Sequence, residues 1–229
     1  MRLKAISILS GGLDSAISTR LAMESHEVVL GIFFDYGQRA LLQEKKAALK
    51  LAEYFKFPLK IIEVPWLKDC TKTALVNRAM ELPKLSLLEL DEKKASEISA
   101  SQVWVPNRNG LFINIAACLA ESLDAKVLLT GFNREEAQTF PDNSAEFTDA
   151  ISKSLAYSTQ VQCRVQSFTL EMDKVEIVKK GLETNFPFSL LWSCYEAGEK
   201  MCGKCESCLR SKRAYLENGQ DKWVSQLFL

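Results

Sequence analysis

The six residues Ser10-Gly11-Gly12-Leu13-Asp14-Ser15 constrain the fold most, because they join a short apolar run at 4–9 to a helical pattern. This order predicts a first strand, a glycine turn and a first helix. Glycine carries no Cβ, so the turn can approach a ligand closely, and the N–H groups of the following helix N-terminus favour phosphate. The loop is therefore predicted to hold a phosphate chain.

Side chains in the loop fit the same interpretation. Ser10 and Ser15 supply hydroxyl donors, and Asp14 offers a carboxylate of the kind that Mg²⁺ prefers. No Gly-Lys-Ser/Thr follows, so the loop is not a Walker A motif. The alternative is a plain strand-to-helix turn in which Asp14 or Ser15 only caps the helix.

Apolar runs and helical patterns alternate along the rest of the chain. Further strands are predicted at 28–34, which reads as buried on both faces, at 60–64 and at 126–130; helices are predicted at 39–55 and 109–123. Asp173 and Glu176 form a capping box for a later helix. This alternation predicts an α/β fold with a doubly wound parallel sheet, in which ligands bind beyond the carboxyl ends of the strands. Ser10, Asp35 and Gly131 follow three such ends and are expected to converge.

The 229 residues suffice for one α/β domain with a small appendage. We predict a nucleotide-binding domain at 1–191, with an irregular, partly helical insert at 66–104, and a C-terminal segment at 192–229. Lys and Arg together number 29, as do Asp and Glu, and this balance argues against stable nucleic-acid binding. Neither a secretory signal nor a membrane span is visible, so a cytoplasmic location is expected.

Four of the seven cysteines crowd into the C-terminal segment. Cys194, Cys202, Cys205 and Cys208 have the spacing C-x7-C-x2-C-x2-C, which predicts a closed tetrahedral site for a structural Zn²⁺. The alternatives are an iron–sulfur cluster and a group of free thiols. The scattered cysteines are expected to be ordinary buried or half-buried thiols, and Cys118, in an apolar helix, is expected in the core.

The loop resembles the PP-loop of ATP pyrophosphatases, which cleave ATP between the α and β phosphates and have the adenine nucleotide alpha-hydrolase fold. Further motifs resemble, in the same order, those of the 7-cyano-7-deazaguanine synthase family over nearly the whole chain. They are Phe34-Asp35-Tyr36-Gly37-Gln38-Arg39, Val105-Pro106-Asn107-Arg108-Asn109, Phe140-Pro141-Asp142 and the terminal cysteines.

Site residues follow from these motifs. For ATP, the predicted contacts are Ser10, Gly11, Gly12, Leu13, Asp14, Ser15, Asp35, Tyr36, Gln38 and Gly131, and the predicted catalytic residues are Ser10, Asp14, Ser15 and Arg108. For the second substrate, Arg108 and Asn109 are predicted to clamp a carboxylate or phosphate. Phe140 would cover a guanine-type base and Asp142 would accept its hydrogen bonds; alternatively, Asp142 or Ser144 caps the next helix.

The resemblance implies a two-stage reaction in queuosine biosynthesis. ATP adenylates 7-carboxy-7-deazaguanine and ammonia displaces AMP to give an amide; a second ATP then activates the amide oxygen, and loss of AMP leaves the nitrile. ATP, Mg²⁺ and Zn²⁺ are the implied cofactors, and a homodimer is expected. No glutaminase domain is apparent, so ammonia would come from solution or from a partner.

Three stretches differ from the usual family pattern. Leu13 stands in place of Gln, Ala40 in place of His, and Thr139-Phe140-Pro141-Asp142-Asn143 in place of Gly-Tyr-Pro-Asp-Cys. One alternative is therefore a divergent relative that joins a deazaguanine carboxylate to another amine, such as one on a protein. Another PP-loop ligase or amidotransferase and a non-enzymatic zinc-tail binding module are the remaining alternatives.

Overall fold

A parallel sheet organises the computed structural model, which describes residues 2–83, 86 and 89–229. Its strands are β1 Leu3–Ile8, β2 His26–Asp35, β3 Leu59–Glu63, β4 Val127–Leu129 and β5 Arg164–Gln166. They lie in the order β3-β2-β1-β4-β5, and every neighbouring pair is parallel. The order reverses direction at β1, which is the point where a doubly wound sheet opens a crevice for ligands.

Helices cover both faces of this sheet. They are α1 Leu13–Ala22, α2 Leu41–Phe55, α3 Lys93–Val103, α4 Arg108–Leu123, α5 Arg134–Ala137, α6 Ala145–Ser158, α7 Lys174–Glu183, α8 Glu206–Glu217 and α9 Asp221–Leu227. α1, α2 and α7 pack on one face, and α4 and α6 pack on the other. The predicted doubly wound α/β fold is confirmed.

The two larger core clusters of the described residues lie on opposite faces of the sheet, and the C-terminal segment belongs to the one that contains α1. Tyr215 of α8 and Phe228 are buried in the same cluster as Leu13 and Ile17 of α1. The segment therefore packs beside the glycine loop. The domain division near residue 191 stays a prediction, as does the insert at 66–104, whose residues 84, 85, 87 and 88 lie outside the described part of the chain.

Two local predictions need correction. Only Gly31–Phe34 of β2 is fully buried, because β3 pairs with β2 from Gly31 onward and leaves the earlier half without a neighbour on that side. The residue that precedes α1 is Gly12, and no side chain caps this helix. In the first turn, the N–H of Leu13 donates to Ser193, whereas the N–H groups of Asp14 and Ser15 have no hydrogen-bond partner among the described residues and are left open to a ligand.

The capping box of α7 is confirmed. The Asp173 side chain accepts from the backbone N–H of Glu176, and the Glu176 side chain accepts from the backbone N–H of Asp173. At α6 the cap is Ser144, so Asp142 does not serve that purpose. The sequence did not predict β5, because only Val165 of its three residues is buried and the strand therefore has no apolar run.

Cys118 is exposed, contrary to the prediction of a core position, because it falls on the face of α4 that carries the exposed Asn114 and points away from the sheet. Cys70 is also exposed, whereas Cys163 is buried. Among the described residues, no helix is both long and apolar enough to span a bilayer.

Candidate active site

The glycine loop closes on itself through its two serines. The Oγ atoms of Ser10 and Ser15 lie 3.0 Å apart, and Ser10 Oγ also accepts from the N–H of Gly12 at 3.3 Å. From the C-terminal segment, Ser193 accepts from the N–H of Leu13 at 3.3 Å. The hydroxyls thus hold the loop in shape around the open end of α1, where N–H groups and the helix dipole favour an anion.

The two glycines of the loop have different roles. Gly11 has a φ of +89°, and a Cβ there would lie 2.7 Å from the carbonyl oxygen of Glu44 in α2. Gly12 has ordinary room, with its nearest contact, Ser10 Oγ, at 3.5 Å, and it lines the cavity described below. Gly11 therefore fits the loop against α2, whereas Gly12 faces the ligand side.

Gly131, directly after β4, packs against the backbone of the loop. A Cβ at Gly131 would lie 2.4 Å from the amide nitrogen of Ser15 and 2.8 Å from the carbonyl carbon of Asp14. No side-chain rotation relieves a clash with backbone. The small size of Gly131 thus sets the position of the loop relative to the sheet.

We expect Gly131→Ala to displace the loop, lowering the thermal midpoint by roughly 5–10 °C and abolishing stabilisation by ATP. Gly12→Ala is the matched comparison, since its Cβ has room: it should melt within about 2 °C of the wild type while still weakening ATP binding. Thermal unfolding with and without ATP measures both effects. A Gly131→Ala variant that ATP stabilises normally would contradict this packing argument.

A cavity of about 270 Å³ opens at the carboxyl ends of β1, β2 and β4, where the sequence predicted convergence. The predicted site residues that line it are Ser10, Gly12, Leu13, Asp14, Ser15, Tyr36, Gln38, Arg108, Asn109, Gly131 and Phe140. The other three, Gly11, Asp35 and Asp142, are not among the described residues that line it.

Local contacts explain two of these exceptions. Asp35 Oδ1 accepts from the N–H of Gly37 at 3.1 Å and so shapes the turn after β2. Asp142 is half-buried. Its carboxylate accepts a hydrogen bond from the side-chain amide of Asn143 at 3.3 Å, and its main-chain oxygen accepts one from the side-chain amide of Asn109, also at 3.3 Å. Burial raises the pKa of Asp142 above its ordinary value. Direct ligand contacts of both aspartates stay predictions.

A charged cluster that the sequence did not reveal lies beside the loop. Lys174, the first residue of α7, is buried, hydrogen bonds to Asp14, and reaches Glu136 of α5 at 2.8 Å. All three residues line the cavity. A lysine at a helix N-terminus opposes the helix dipole, and this misfit is the one sequence signal that could have drawn attention to it.

Burial dominates the electrostatics of this cluster. Burial raises the pKa of Asp14 to about 6, against the opposing effect of Lys174. Burial also disfavours the charged form of Lys174, but Asp14 and Glu136 together raise its pKa well above the ordinary value. Lys174 is therefore a fixed positive charge at neutral pH, and it faces the loop that carries Asp14.

A second buried network ties the C-terminal segment to the cavity wall. Arg210 of α8 donates to Glu135 of α5 at 2.6 Å and to Glu206 at 2.9 Å, and Ser99 of α3 hydrogen bonds to Glu206. Glu206 and Arg210 line the cavity. The segment at 192–229 thus completes the site, which its sequence did not indicate.

Arg108, Tyr36 and Phe140 line another part of the cavity. Arg108 Nη1 donates to the hydroxyl of Tyr36 at 3.2 Å. Phe140 lies parallel to Trp104, with ring centroids 6.1 Å apart and an interplanar angle of 8°. A cation and an aromatic platform on one wall suit a planar, negatively charged ligand.

The four terminal cysteines come together as predicted. Their Sγ atoms all lie within 4.8 Å of one another, with Cys194 and Cys205 at 4.0 Å and Cys202 and Cys208 at 3.8 Å. A tetrahedral ion with Zn–S bonds of about 2.3 Å separates its sulfur ligands by about 3.8 Å. Backbone N–H groups also point at Sγ of Cys194 and Cys202. The cluster can therefore hold one metal ion.

Comparison with known proteins gave consistent matches. A family model described as "Queuosine biosynthesis protein QueC" matches residues 4–219. The 7-cyano-7-deazaguanine synthase of Pelotomaculum thermopropionicum is 54% identical over 212 residues, covering 93% of this chain and 96% of that protein. The enzyme of the same name from Methanosarcina mazei is 48% identical, covering 95% of each chain.

Among solved structures, the U34-tRNA thiolase NcsA from Methanococcus maripaludis has a TM-score of 0.50 and 16% identity, covering 96% of this chain and 67% of that one. At this identity the match shows a shared fold alone.

Proposed function

Because the chain belongs to the family of the queuosine biosynthesis protein QueC, we propose that it is an ATP-dependent carbon–nitrogen ligase that makes 7-cyano-7-deazaguanine from 7-carboxy-7-deazaguanine and ammonia. The observation that carries this proposal is the single cavity in which the phosphate loop, Lys174 and Arg108 meet. Identities of 54% and 48% to synthases of that name favour this reaction over the divergent ligases considered above.

The first stage forms an acyl adenylate. A carboxylate oxygen of the substrate attacks the α phosphorus of ATP, and pyrophosphate leaves. Ammonia then attacks the acyl carbon and AMP leaves with its oxygen, giving the amide. In the second stage the amide oxygen attacks a second ATP, and loss of AMP and protons leaves the carbon–nitrogen triple bond.

The loop and α1 supply the phosphate contacts for both stages. The open N–H groups of Asp14 and Ser15, with the Ser10 and Ser15 hydroxyls, bind the phosphates, while Tyr36 faces the adenosine half and Gln38, through its bond to the N–H of Tyr36, fixes the backbone there. Lys174 stabilises the negative charge that develops on departing pyrophosphate, because it is fixed in its charged form beside the loop. Adenylation relies on such positioning and charge neutralisation more than on a basic side chain.

Asp14 is the residue that fits Mg²⁺. Its Oδ1 is buried and has no hydrogen-bond partner among the described residues, although its Oδ2 contacts Lys174. An unsatisfied buried carboxylate oxygen beside a phosphate site has the chemistry of a magnesium ligand. Bound Mg²⁺ would neutralise charge on the ATP phosphates. The burial of Asp14 disfavours its ionised form, so a cation there is also a source of stabilisation.

The part of the cavity around Arg108 and Phe140 selects the acid. We infer that Phe140, supported by Trp104, covers the deazaguanine ring, and that Arg108 and Asn109 orient the carboxylate. Asp142 stands in the turn between Phe140 and Asn143, both of which line the cavity. Its carboxylate matches the adjacent N–H donors of a guanine-type edge, which supports a role in base selection.

Zinc is the ion that we propose for the cysteine cluster. Sγ separations of 3.8 and 4.0 Å favour one tetrahedral ion over a cubane cluster, in which each cysteine binds a different iron. A closed four-thiolate site leaves no position for water, so its role is to fold the segment that carries Ser193, Glu206 and Arg210 into the cavity wall. A homodimer, a cytoplasmic location and free ammonia as the nitrogen source stay predictions.

Turnover with defined substrates tests the proposal. We expect the protein to convert 7-carboxy-7-deazaguanine to the nitrile with ATP, Mg²⁺ and ammonium, forming two AMP per nitrile. Amide as the final product, or turnover that does not require ammonium, would favour the divergent relative. Absence of AMP formation would contradict the proposal that the protein is an enzyme. Metal analysis is expected to give about one zinc per chain.

A further inference from the structure

Glu44, in the first turn of α2, is a cavity carboxylate to which the reaction described so far assigns no role. Gln38 Nε2 donates to Glu44 Oε2 at 3.0 Å and also to the carbonyl oxygen of Phe34 at 3.0 Å, while Gln38 Oε1 accepts from the N–H of Tyr36 at 3.0 Å. The Gln38 amide is thus fully bonded and buried. It holds one oxygen of Glu44 in place and leaves the other available to the cavity.

A small side cavity opens beside Glu44. Its volume is about 70 Å³, and Tyr36, Gln38, Glu44 and Arg108 line both it and the main cavity. Arg39 also lines the side cavity, but its charge is paired with Glu196 at 3.0 Å. This space exceeds the roughly 10–15 Å³ that one water-sized occupant requires, yet it is far too small for a nucleotide or a deazaguanine ring. The side cavity therefore suits a small polar molecule that enters the reaction beside the acid.

Charge decides which small molecule fits. In the described part of the chain, Glu44 forms no ion pair, because Arg39 bonds instead to Ala74, Met80 and Glu196, and Arg108 bonds to the Tyr36 hydroxyl. Arg108 lies near enough to lower the pKa of this half-buried carboxylate, but on the proposed function its guanidinium pairs with the substrate carboxylate. Glu44 is then left without an ion-pair partner, which favours a small cation beside it. Burial raises the pKa of Glu44 to about 7, so this carboxylate can also accept a proton near neutral pH.

We propose that Glu44 and the side cavity form the ammonium site, in which Glu44 binds ammonium and removes a proton to release the nucleophile. This inference rests on the proposed function. The nitrogen substrate then binds in the side cavity next to Arg108, apart from ATP and the acid.

The chemistry balances without a further reactant. Ammonium transfers one proton to the Glu44 carboxylate, and the freed nitrogen lone pair forms a bond to the acyl carbon of the adenylate. The bond from that carbon to the phosphate oxygen breaks, and AMP departs with the electron pair. The new amide nitrogen gives its surplus proton to water, and Glu44 returns its proton to solvent before the next cycle.

The Glu44→Gln variant separates this role from adenylation. We expect kcat/KM for ammonium to fall by about 10²-fold or more, as for loss of a positioned base. Exchange of labelled pyrophosphate into ATP, measured with the acid and without ammonium, is expected to stay within about twofold of the wild type, since adenylation precedes use of ammonia. Glu53→Gln, an exposed carboxylate on the same helix, is the matched control and should change neither.

Hydroxylamine provides a second readout. It is mostly uncharged near neutral pH and needs no base to release its lone pair, so Glu44→Gln should form the hydroxamate at nearly the wild-type rate. A Glu44→Gln variant with normal ammonium dependence, or one whose KM for the acid rises instead, would overturn the assignment. Absence of exchange in the wild type would overturn the proposed function itself.

Discussion

Asp14→Asn is expected to lower the rate of acid-dependent AMP formation by on the order of 10³-fold without loss of the fold. Asn keeps the size of the side chain but removes the charge that would hold Mg²⁺ beside the phosphates. Lys174 keeps Glu136 as its partner at 2.8 Å, so the substitution does not leave this buried ammonium without a counter-charge.

The direction in which Asp14→Asn shifts the melting temperature shows whether Asp14 serves ligand binding or stabilises the fold. The pKa of Asp14 rises from 3.8 to about 6 because of burial, so its ionised form destabilises the fold above about pH 6, and that penalty disappears as the pH falls below 3.8. Asn carries no such penalty. The variant should therefore melt at or above the wild-type temperature at pH 8.

AMP formation and thermal unfolding at pH 8 test both statements, with the exposed Asp149→Asn as control. Activity within tenfold of the wild type would show that Asp14 does not carry the magnesium contact. A large drop in melting temperature would instead mean that its pairing with Lys174 is structural.

Cys205→Ser is expected to unfold the C-terminal segment and abolish activity with it. Structural zinc contributes about 10–16 kcal/mol in zinc-finger peptides, which is comparable to or larger than the whole stability of a typical domain. Cys205 and Cys208 are buried in the same core cluster as Leu13 and Ile17 of α1, so the loss extends to the phosphate loop.

Zinc content, far-ultraviolet circular dichroism and ATP-dependent thermal stabilisation report this loss. The matched control is Cys118→Ser, which changes an exposed thiol far along the chain from the cluster and should leave all three unchanged. A folded, active Cys205→Ser protein with no bound metal would contradict the structural role of the cluster.

Local sequence signals predicted the features that depend on local chemistry. The Ser10–Ser15 turn and the cysteine spacing each fix their geometry within a few residues, so their positions in the fold follow from the pattern. The sheet topology follows from alternation of strands and helices, although β5, with a single buried residue, gave too weak a signal.

The rest of the site depends on pairs that are distant in the sequence. Lys174 meets Asp14 across 160 residues, and Arg210 meets Glu135 across 75. No periodicity in either segment encodes such a pair, and a buried lysine is indistinguishable in the sequence from an exposed one. The sequence did not identify Glu44 as a site residue for a similar reason. A glutamate in the first turn of a helix is common, and only the fold makes this one face a cavity.

Adenylation of a carboxylate oxygen and then of an amide oxygen leaves a record in the oxygen atoms of the products. The decisive measurement is mass spectrometry of the products formed from acid labelled with oxygen-18 in both carboxylate positions. We expect each of the two AMP molecules formed per nitrile to carry one labelled oxygen, and pyrophosphate to carry none. Unlabelled AMP, or label in pyrophosphate or inorganic phosphate, would contradict this adenylation mechanism.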